Sequence, residues 1–154
     1  MKMLHPCSFK FVILFMILVS GLPAPKMSNG ISVDFVPLGC PNILNIGSND
    51  VFYVAIIGKT GFHWNALGDI TLNGVKPLSS TLLDQTGPGG TASPDCNSCN
   101  IPGPDGIPDL ILQFDIREVA ETLGNPSSGD CMLLTITTAA GTASDWVCIL
   151  KKKK

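Results

Sequence analysis

The sequence predicts a mostly β protein, an immunoglobulin-like antiparallel β-sandwich with one short helix. Three observations support this fold class. Apolar residues occur in short runs of strand length, glycine and proline stand between the runs, and only one stretch has helical periodicity. The runs lie within residues 31–150, a segment long enough to bury a hydrophobic core of its own.

The predicted strands before the helix are residues 31–35, 51–57, 70–72 and 110–114, with turns at 39–42 and 73–74. Residues 51–57 form a continuous apolar run, which indicates a central strand buried on both faces. Asn73-Gly74 is a dipeptide typical of tight turns. The alternating side chains of 31–35 and 110–114 are typical of strands.

The predicted helix begins after Asp115, which would be its N-cap, with Glu118 completing a capping box three residues later. Its apolar face consists of Ile116, Val119, Ala120 and Leu123. Gly124 supplies the stop.

The C-terminal part of the domain predicts a hairpin, with strands at 131–138 and 146–150 around a turn at 139–142. A symmetric turn places Cys131 opposite Cys148 and Leu133 opposite Trp146. Directly opposed residues are close enough for a disulfide after slight local twisting, so we expect one between Cys131 and Cys148.

The N-terminus predicts export. Residues 1–21 have the lysines and the apolar run of a signal peptide, and residues 19–21 place small side chains at −3 and −1, so we expect cleavage after Gly21. The run would form about 18 Å of helix, short for a hydrocarbon core of about 30 Å. An uncleaved membrane anchor is the alternative. With 22–30 as linker and 151–154 as a lysine tail, the mature protein is expected to be secreted, extracellular or at the cell surface, without a transmembrane segment.

The charge of the domain excludes one class of partner. Residues 31–150 contain three basic and twelve acidic residues, a net charge of −9 that the lysine tail conceals. An acidic domain argues against nucleic acid and favours cations.

An acidic loop is the candidate cation site. Gly106 provides the sharp turn of a calcium loop, and Asp105 and Asp109 stand at positions where such loops place carboxylates. Further oxygens would come from Asp84, Asp95, Asn97 or Asn100, or from backbone carbonyl groups. The spacing therefore predicts bound calcium with a structural role. The alternative is a simple Pro-Asp-Gly turn, in which Asp105 bonds to its own backbone.

Cys96-x-x-Cys99 precedes this loop. We expect a local disulfide between these two cysteines, because export makes disulfides plausible. Zinc would require a second pair or nearby histidines, and redox catalysis would require a βαβ setting; these are the alternatives. The mature chain has five cysteines, so one is left over.

The segment around His63 and Trp64 is a candidate binding loop for carbohydrate or protein, and an ordinary exposed loop histidine is the other interpretation. No nucleophile elbow, P-loop or dinucleotide fingerprint occurs in the sequence. We therefore do not expect an enzyme.

Four segments taken in order resemble an uncharacterised domain family of secreted bacterial proteins. Residues 33–42 resemble its Ile-Asp-Ile-Lys-Pro-Gly-x-x-Pro-Asn motif, and 51–58 resemble its Val-Ala-Ile-Leu strand. Residues 72–77 and 105–114 match its Leu-x-Gly-Val-x-Pro and Asp-Gly-x-x-Asp-Leu-x-Leu-x-Phe motifs. The resemblance implies an extracellular β module whose acidic loop uses Asp105 and Asp109, with Asp84 as the preceding aspartate. This chain departs from the family by an insertion at 87–102.

These observations predict a secreted structural or cell-surface module with a structural calcium loop. Its partners would be cell-surface or matrix components, or further copies of the chain. A carbohydrate- or protein-binding module that uses residues 62–64 is the first alternative. A subunit of an extracellular filament or sheath is the second, because an apolar strand and a proline-rich arm would permit strand exchange.

Overall fold

The computed structural model describes residues 30–87 and 103–152. Within these ranges eight strands form two four-stranded sheets, and one short α-helix connects two of the strands. The prediction of a mostly β fold with one short helix is thereby confirmed. The signal peptide, most of the linker, Cys96, Cys99, Asn100 and the last two lysines lie outside the described residues.

The strands are β1 (Val33–Phe35), β2 (Ile43–Asn45), β3 (Val51–Ile56), β4 (Thr71–Leu72), β5 (Ser79–Leu83), β6 (Asp109–Asp115), β7 (Cys131–Thr138) and β8 (Gly141–Leu150), and helix α1 (Ile116–Thr122) follows β6. Sheet A has the order β1-β3-β6-β5, and sheet B has the order β2-β8-β7-β4. The sequence pattern does not predict β2 or β5. It also misses a 3-10 helix at Trp64–Leu67.

One pair of strands departs from the antiparallel prediction. β2 runs parallel to β8, whereas the other neighbouring strands of both sheets are antiparallel. Residues 36–42 carry the chain from β1 in sheet A to β2 in sheet B, so no hairpin joins β2 and β8. A tight hairpin would have required the two strands to be antiparallel.

Both sheets contribute to one hydrophobic core. The fully buried members from sheet A are Phe35, Val54, Ile56, Leu112 and Phe114, and those from sheet B are Leu44, Leu72, Leu134, Ile136 and Val147. Removing such side chains from water contributes about 25 cal/mol for each Å² of apolar surface. This core is therefore the main term that holds the two sheets together.

Strand β3 is central, as predicted, but it is not buried on both faces. Phe52 and Val54 point into the core, whereas Val51 and Tyr53 are exposed. Because side chains alternate along a strand, these two face the outer side of sheet A. The prediction of two-sided burial is wrong at this end of the strand and holds for residues 55–57.

Helix α1 begins as predicted. The side chain of Asp115 caps it by accepting a hydrogen bond from the backbone N–H of Arg117 at 2.8 Å. The helix ends at Thr122, and Gly124 follows with φ of 74°, a conformation that favours glycine. No helix within the described ranges is long and apolar enough to cross a membrane.

The C-terminal hairpin has the predicted register. Cys131 lies opposite Cys148, and Leu133 lies opposite Trp146. The turn is tighter than expected, since Thr138 already pairs with Gly141. Strand β8 has neighbours on both sides, because β7 flanks it on one edge and β2 on the other.

Candidate functional site

The predicted calcium residues that the structure describes meet at one end of sheet A. Asp84 follows β5, and its carboxylate accepts the backbone N–H groups of Asp105 at 3.0 Å and Gly106 at 2.9 Å. The carboxylate of Asp105 accepts the N–H of Ile107 at 2.9 Å, which is the turn-forming bond of the alternative interpretation. The sequence thus identified residues that lie together, and backbone amides surround their oxygens.

Asp109 has a different place from the other two aspartates. It is the first residue of β6 and only 1% exposed. One carboxylate oxygen accepts the N–H of Gly58 at 2.9 Å, and the other accepts those of Gln85 at 2.9 Å and Thr86 at 2.8 Å. Three amide donors satisfy a buried charge well. Asp109 therefore joins the end of β3 to the segment after β5.

Gly58 approaches this anchor closely. A Cβ atom added there would lie 2.1 Å from the backbone oxygen of Pro108. Only glycine allows the two backbones to come so near each other.

Calcium remains a prediction. The ranges 30–87 and 103–152 contain no group of three or more His, Cys, Asp or Glu side chains arranged to hold a metal. Outside them lie the other candidate ligands, Asp95, Asn97 and Asn100. Backbone amides that donate to Asp84, Asp105 and Asp109 order the loop. The sequence analysis predicted this ordering role for a calcium ion.

The predicted disulfide between Cys131 and Cys148 is not formed, although the two residues are directly opposed. The structure instead has Cys40 and Cys131 as disulfide-bonded residues. The register that suggested the pair was correct. Opposition across two strands permits a disulfide without requiring one, and Cys131, which is already disulfide-bonded, has no thiol left for Cys148.

The aromatic loop has a packing role. The rings of Phe62 and Trp64 lie 4.8 Å apart in an edge-to-face arrangement, and both side chains pack against the core cluster. His63, between them, is exposed. The loop therefore presents a histidine to solvent, while its indole ring covers the core.

A groove of about 600 Å³ lies in the part of the chain that the structure describes. It extends over the outer face of sheet A, where Tyr53, Ile111 and Gln113 line it. Leu38 and Ile43 line it on the side of β2, and Leu83 on the side of β5. Exposed apolar side chains of this size gather at one place mainly where another molecule covers them.

The groove carries few charges. Asp50 is its charged lining residue, and it lies at an exposed position. The side-chain amide of Gln113 makes no hydrogen bond with the described residues, so it can donate and accept. The groove can thus hold an apolar ligand and bond to a few of its polar atoms. Sequence reasoning missed it because four strands and a turn build it, and only the exposed Tyr53 within an apolar run gave a signal.

Two carboxyl groups outside the groove have shifted pKa values. The hydrogen bonds from Arg117 hold the pKa of Asp115 below its ordinary value of 3.8. On β8, burial raises the pKa of Asp145, although Trp146 N–H at 2.8 Å and the side-chain amide of Asn42 at 3.1 Å stabilise its charge. Neither group belongs to a catalytic arrangement among the described residues.

Comparison with known proteins identifies no relative: no protein-family model, curated protein or solved structure matches this chain. The resemblance of its motifs to secreted bacterial β domains therefore stays a prediction.

Proposed function

We propose that this protein is an exported β-sandwich module that binds an apolar polypeptide segment in the groove of sheet A. The single observation that carries the proposal is the groove of about 600 Å³ with the exposed side chain of Tyr53 in its lining. A recess of this volume with a few polar groups is typical of binding sites. The proposal keeps the predicted extracellular or cell-surface location, on the basis of the N-terminal signal.

The lining favours a polypeptide over a carbohydrate. Sugar rings stack on aromatic side chains, and Tyr53 is the one exposed ring at the groove, whereas Leu38, Ile43 and Leu83 are exposed aliphatic residues. Aliphatic surface gains most by covering apolar side chains. The free amide of Gln113 can pair with a peptide group, as interfaces with extended peptides require.

The order of strands supports the immunoglobulin-like part of the fold prediction. In immunoglobulin domains one sheet has the strand order A, B, E, D and the other contains C, F, G. Numbered along this chain, β1-β3-β6-β5 follows the first order and β4-β7-β8 the second, with β2 added beside β8. We propose this arrangement as an immunoglobulin-like variant with α1 inserted between β6 and β7.

A peptide display library panned on the mature protein tests the function. We expect uncharged, apolar peptides to be selected and their affinity to fall at least about tenfold in Tyr53→Ser. The matched control is Leu133→Ser on β7, since Leu133 is 45% exposed, close to the 43% of Tyr53, and does not line the groove. Equal affinities in the two variants would contradict the proposal, and so would selection of glycans alone on an array.

A structural role with calcium is the second candidate. It rests on the approach of the Asp84 carboxylate to the backbone amides of Asp105 and Gly106, which brings Asp84 to the predicted loop. The predicted filament or sheath rests on self-association, and the edge of sheet A bears on that possibility.

A further inference from the structure

Strand β5 forms an edge of sheet A, and each of its five residues is exposed. Leu82 is 51% and Leu83 48% exposed. The strand sequence, Ser-Ser-Thr-Leu-Leu, contains no charged residue and no proline. Protein sheets ordinarily protect their edges with such residues, because an open edge offers unpaired peptide groups to any other strand.

The other edges are shorter and better covered. Strand β1, at the opposite edge of sheet A, has three residues and all are buried. The edges of sheet B are β2 with three residues and β4 with two. Within the described ranges β5 is thus the edge best suited to accept a further strand.

The hydrogen bonds of sheet A indicate which peptide groups of β5 have no partner among residues 30–87 and 103–152. Val36 donates its N–H to the backbone oxygen of Tyr53, so the peptide groups of Tyr53 face β1. Successive residues of a strand bond in opposite directions, so the peptide groups of Val54 face β6. Val54 pairs with Leu112, so Ile111, the next residue, bonds towards β5 and its partner Thr81. By the same alternation, the N–H and C=O groups of Ser80 and Leu82 point to the open edge.

We propose that β5 pairs antiparallel with β5 of a second copy of this chain, about a two-fold axis at Thr81. This register uses the whole strand. Ser80 exchanges two backbone hydrogen bonds with Leu82 of the partner. Ser79 lies opposite Leu83 of the partner, and the two Thr81 residues lie opposite each other. Opposed threonines are a favourable cross-strand pair.

The charges beside β5 favour a second copy and the antiparallel direction. The net charge of −9 makes two copies repel each other overall, but the strand itself is uncharged and adds no repulsion at the contact. Lys76 precedes the strand, and Asp84 follows it. An antiparallel pair brings the lysine end of one copy to the aspartate end of the other, whereas a parallel pair would bring like charges together.

The contact uses the same strand in both copies, so it closes at two subunits and does not extend into a fibre. The proposal goes beyond the groove and does not depend on it. Thr81 and Leu83 of β5 also line the groove, whereas Ser80 and Leu82, whose peptide groups face the open edge, do not. A substitution at Leu82 therefore tests the pairing of β5 separately from the binding of peptides.

Cysteine cross-linking tests the register. Thr81 of the two copies would form a pair without direct hydrogen bonds, with Cα atoms about 4.5 Å apart, inside the disulfide range. Thr81→Cys should therefore give a covalent dimer under oxidation. In Ser80→Cys the two cysteines would be about 8 Å apart, because each faces position 82, and no cross-link should form. A cross-link in Ser80→Cys but not in Thr81→Cys would overturn the proposal.

Sedimentation of the mature protein tests the association itself. We expect a concentration-dependent dimer, and Leu82→Pro should raise its dissociation constant at least about tenfold by removing an N–H that faces the partner. The melting temperature of the separated subunit should stay unchanged, because this N–H does not bond to β6. A monomer at every concentration, higher polymers, or a Leu82→Pro dimer of undiminished stability would overturn the proposal; a monomer would leave the edge to a strand of another protein.

Discussion

The buried carboxylate of Asp109 accepts a hydrogen bond from the backbone N–H of Gly58 at 2.9 Å, across 51 residues of sequence. The same carboxylate accepts two further amides, from Gln85 and Thr86. One side chain therefore fixes the end of β3 against the segment that leaves β5. This position makes an aspartate of the acidic loop a structural anchor, whatever the loop binds.

Asp109→Asn should lower the free energy of unfolding by about 3 kcal/mol, because the new NH2 group would face amide donors where the structure needs an acceptor. Urea denaturation in excess chelator measures the change without any contribution from calcium. Asp105→Asn is the control: its site is exposed and asparagine can still accept from Ile107, so we expect a change within about 0.5 kcal/mol. Equal losses in both variants would refute the anchoring role of Asp109.

Trp64→Ala should destabilise the domain by about 3 kcal/mol, since the indole packs on the core and on the ring of Phe62. His63→Ala should leave the melting temperature nearly unchanged, because His63 is exposed. Thermal melts of both variants distinguish a packing loop from a binding loop. If Trp64→Ala lost the binding of a glycan or protein while retaining its stability, the predicted aromatic binding loop would be right and the packing role wrong.

Asp145 should make the domain more stable as the pH falls towards 4. Burial raises its pKa above the ordinary 3.8, so the folded state binds the proton more tightly than the unfolded state. Its ionised form costs stability at neutral pH. That cost diminishes as the pH falls through the folded-state pKa, and it is fully relieved below the ordinary value.

Melts of Asp145→Asn and of the parent protein across this pH range measure the effect. Asparagine has one acceptor where Asp145 uses two oxygens, so the variant loses one hydrogen bond at every pH. Because asparagine does not titrate, the stability of the variant relative to the parent should still decrease as the pH falls from 7 to 4. Asp115, whose pKa is lowered, acts in the opposite direction, but it is present in both proteins and cancels in the comparison. A difference that does not vary with pH would show that burial of the charge is not its cause.

Calcium should raise the melting temperature if it binds the acidic loop. We expect excess chelator to lower the melting temperature and to increase proteolysis between residues 84 and 109, since the ion would tie Asp84 to Asp105. Asp84→Asn should melt at a temperature that no longer responds to calcium. A parent protein with the same melt in calcium and in chelator would exclude the site.

The sequence was informative where one segment carries its own pattern. Local spacing predicts the capping residues of α1, the turn at Asn73-Gly74 and the opposition of Cys131 and Cys148. The structure contains all three features. β5 lacks such a signal, because an exposed edge strand needs no apolar alternation. The groove likewise depends on Leu38, Tyr53 and Leu83 meeting across elements that are distant in sequence.

The acidic loop shows the same limit. The spacing of Asp105 and Asp109 suggested shared ligands, but the strand that begins at Asp109 carries its side chain into a buried site. The identity of its three amide donors depends on where β3 and β5 end. No pattern within the loop contains that information.

The position of β8 between β2 and β7 has a consequence for the order of folding. Its partner β2 lies about a hundred residues earlier, so sheet B cannot form while only the first half of the chain is available. Pairings of such long sequence separation form slowly. A nascent chain of this protein could pair β1, β3, β5 and β6 once residue 115 has been made, whereas sheet B would have to wait for the last strand.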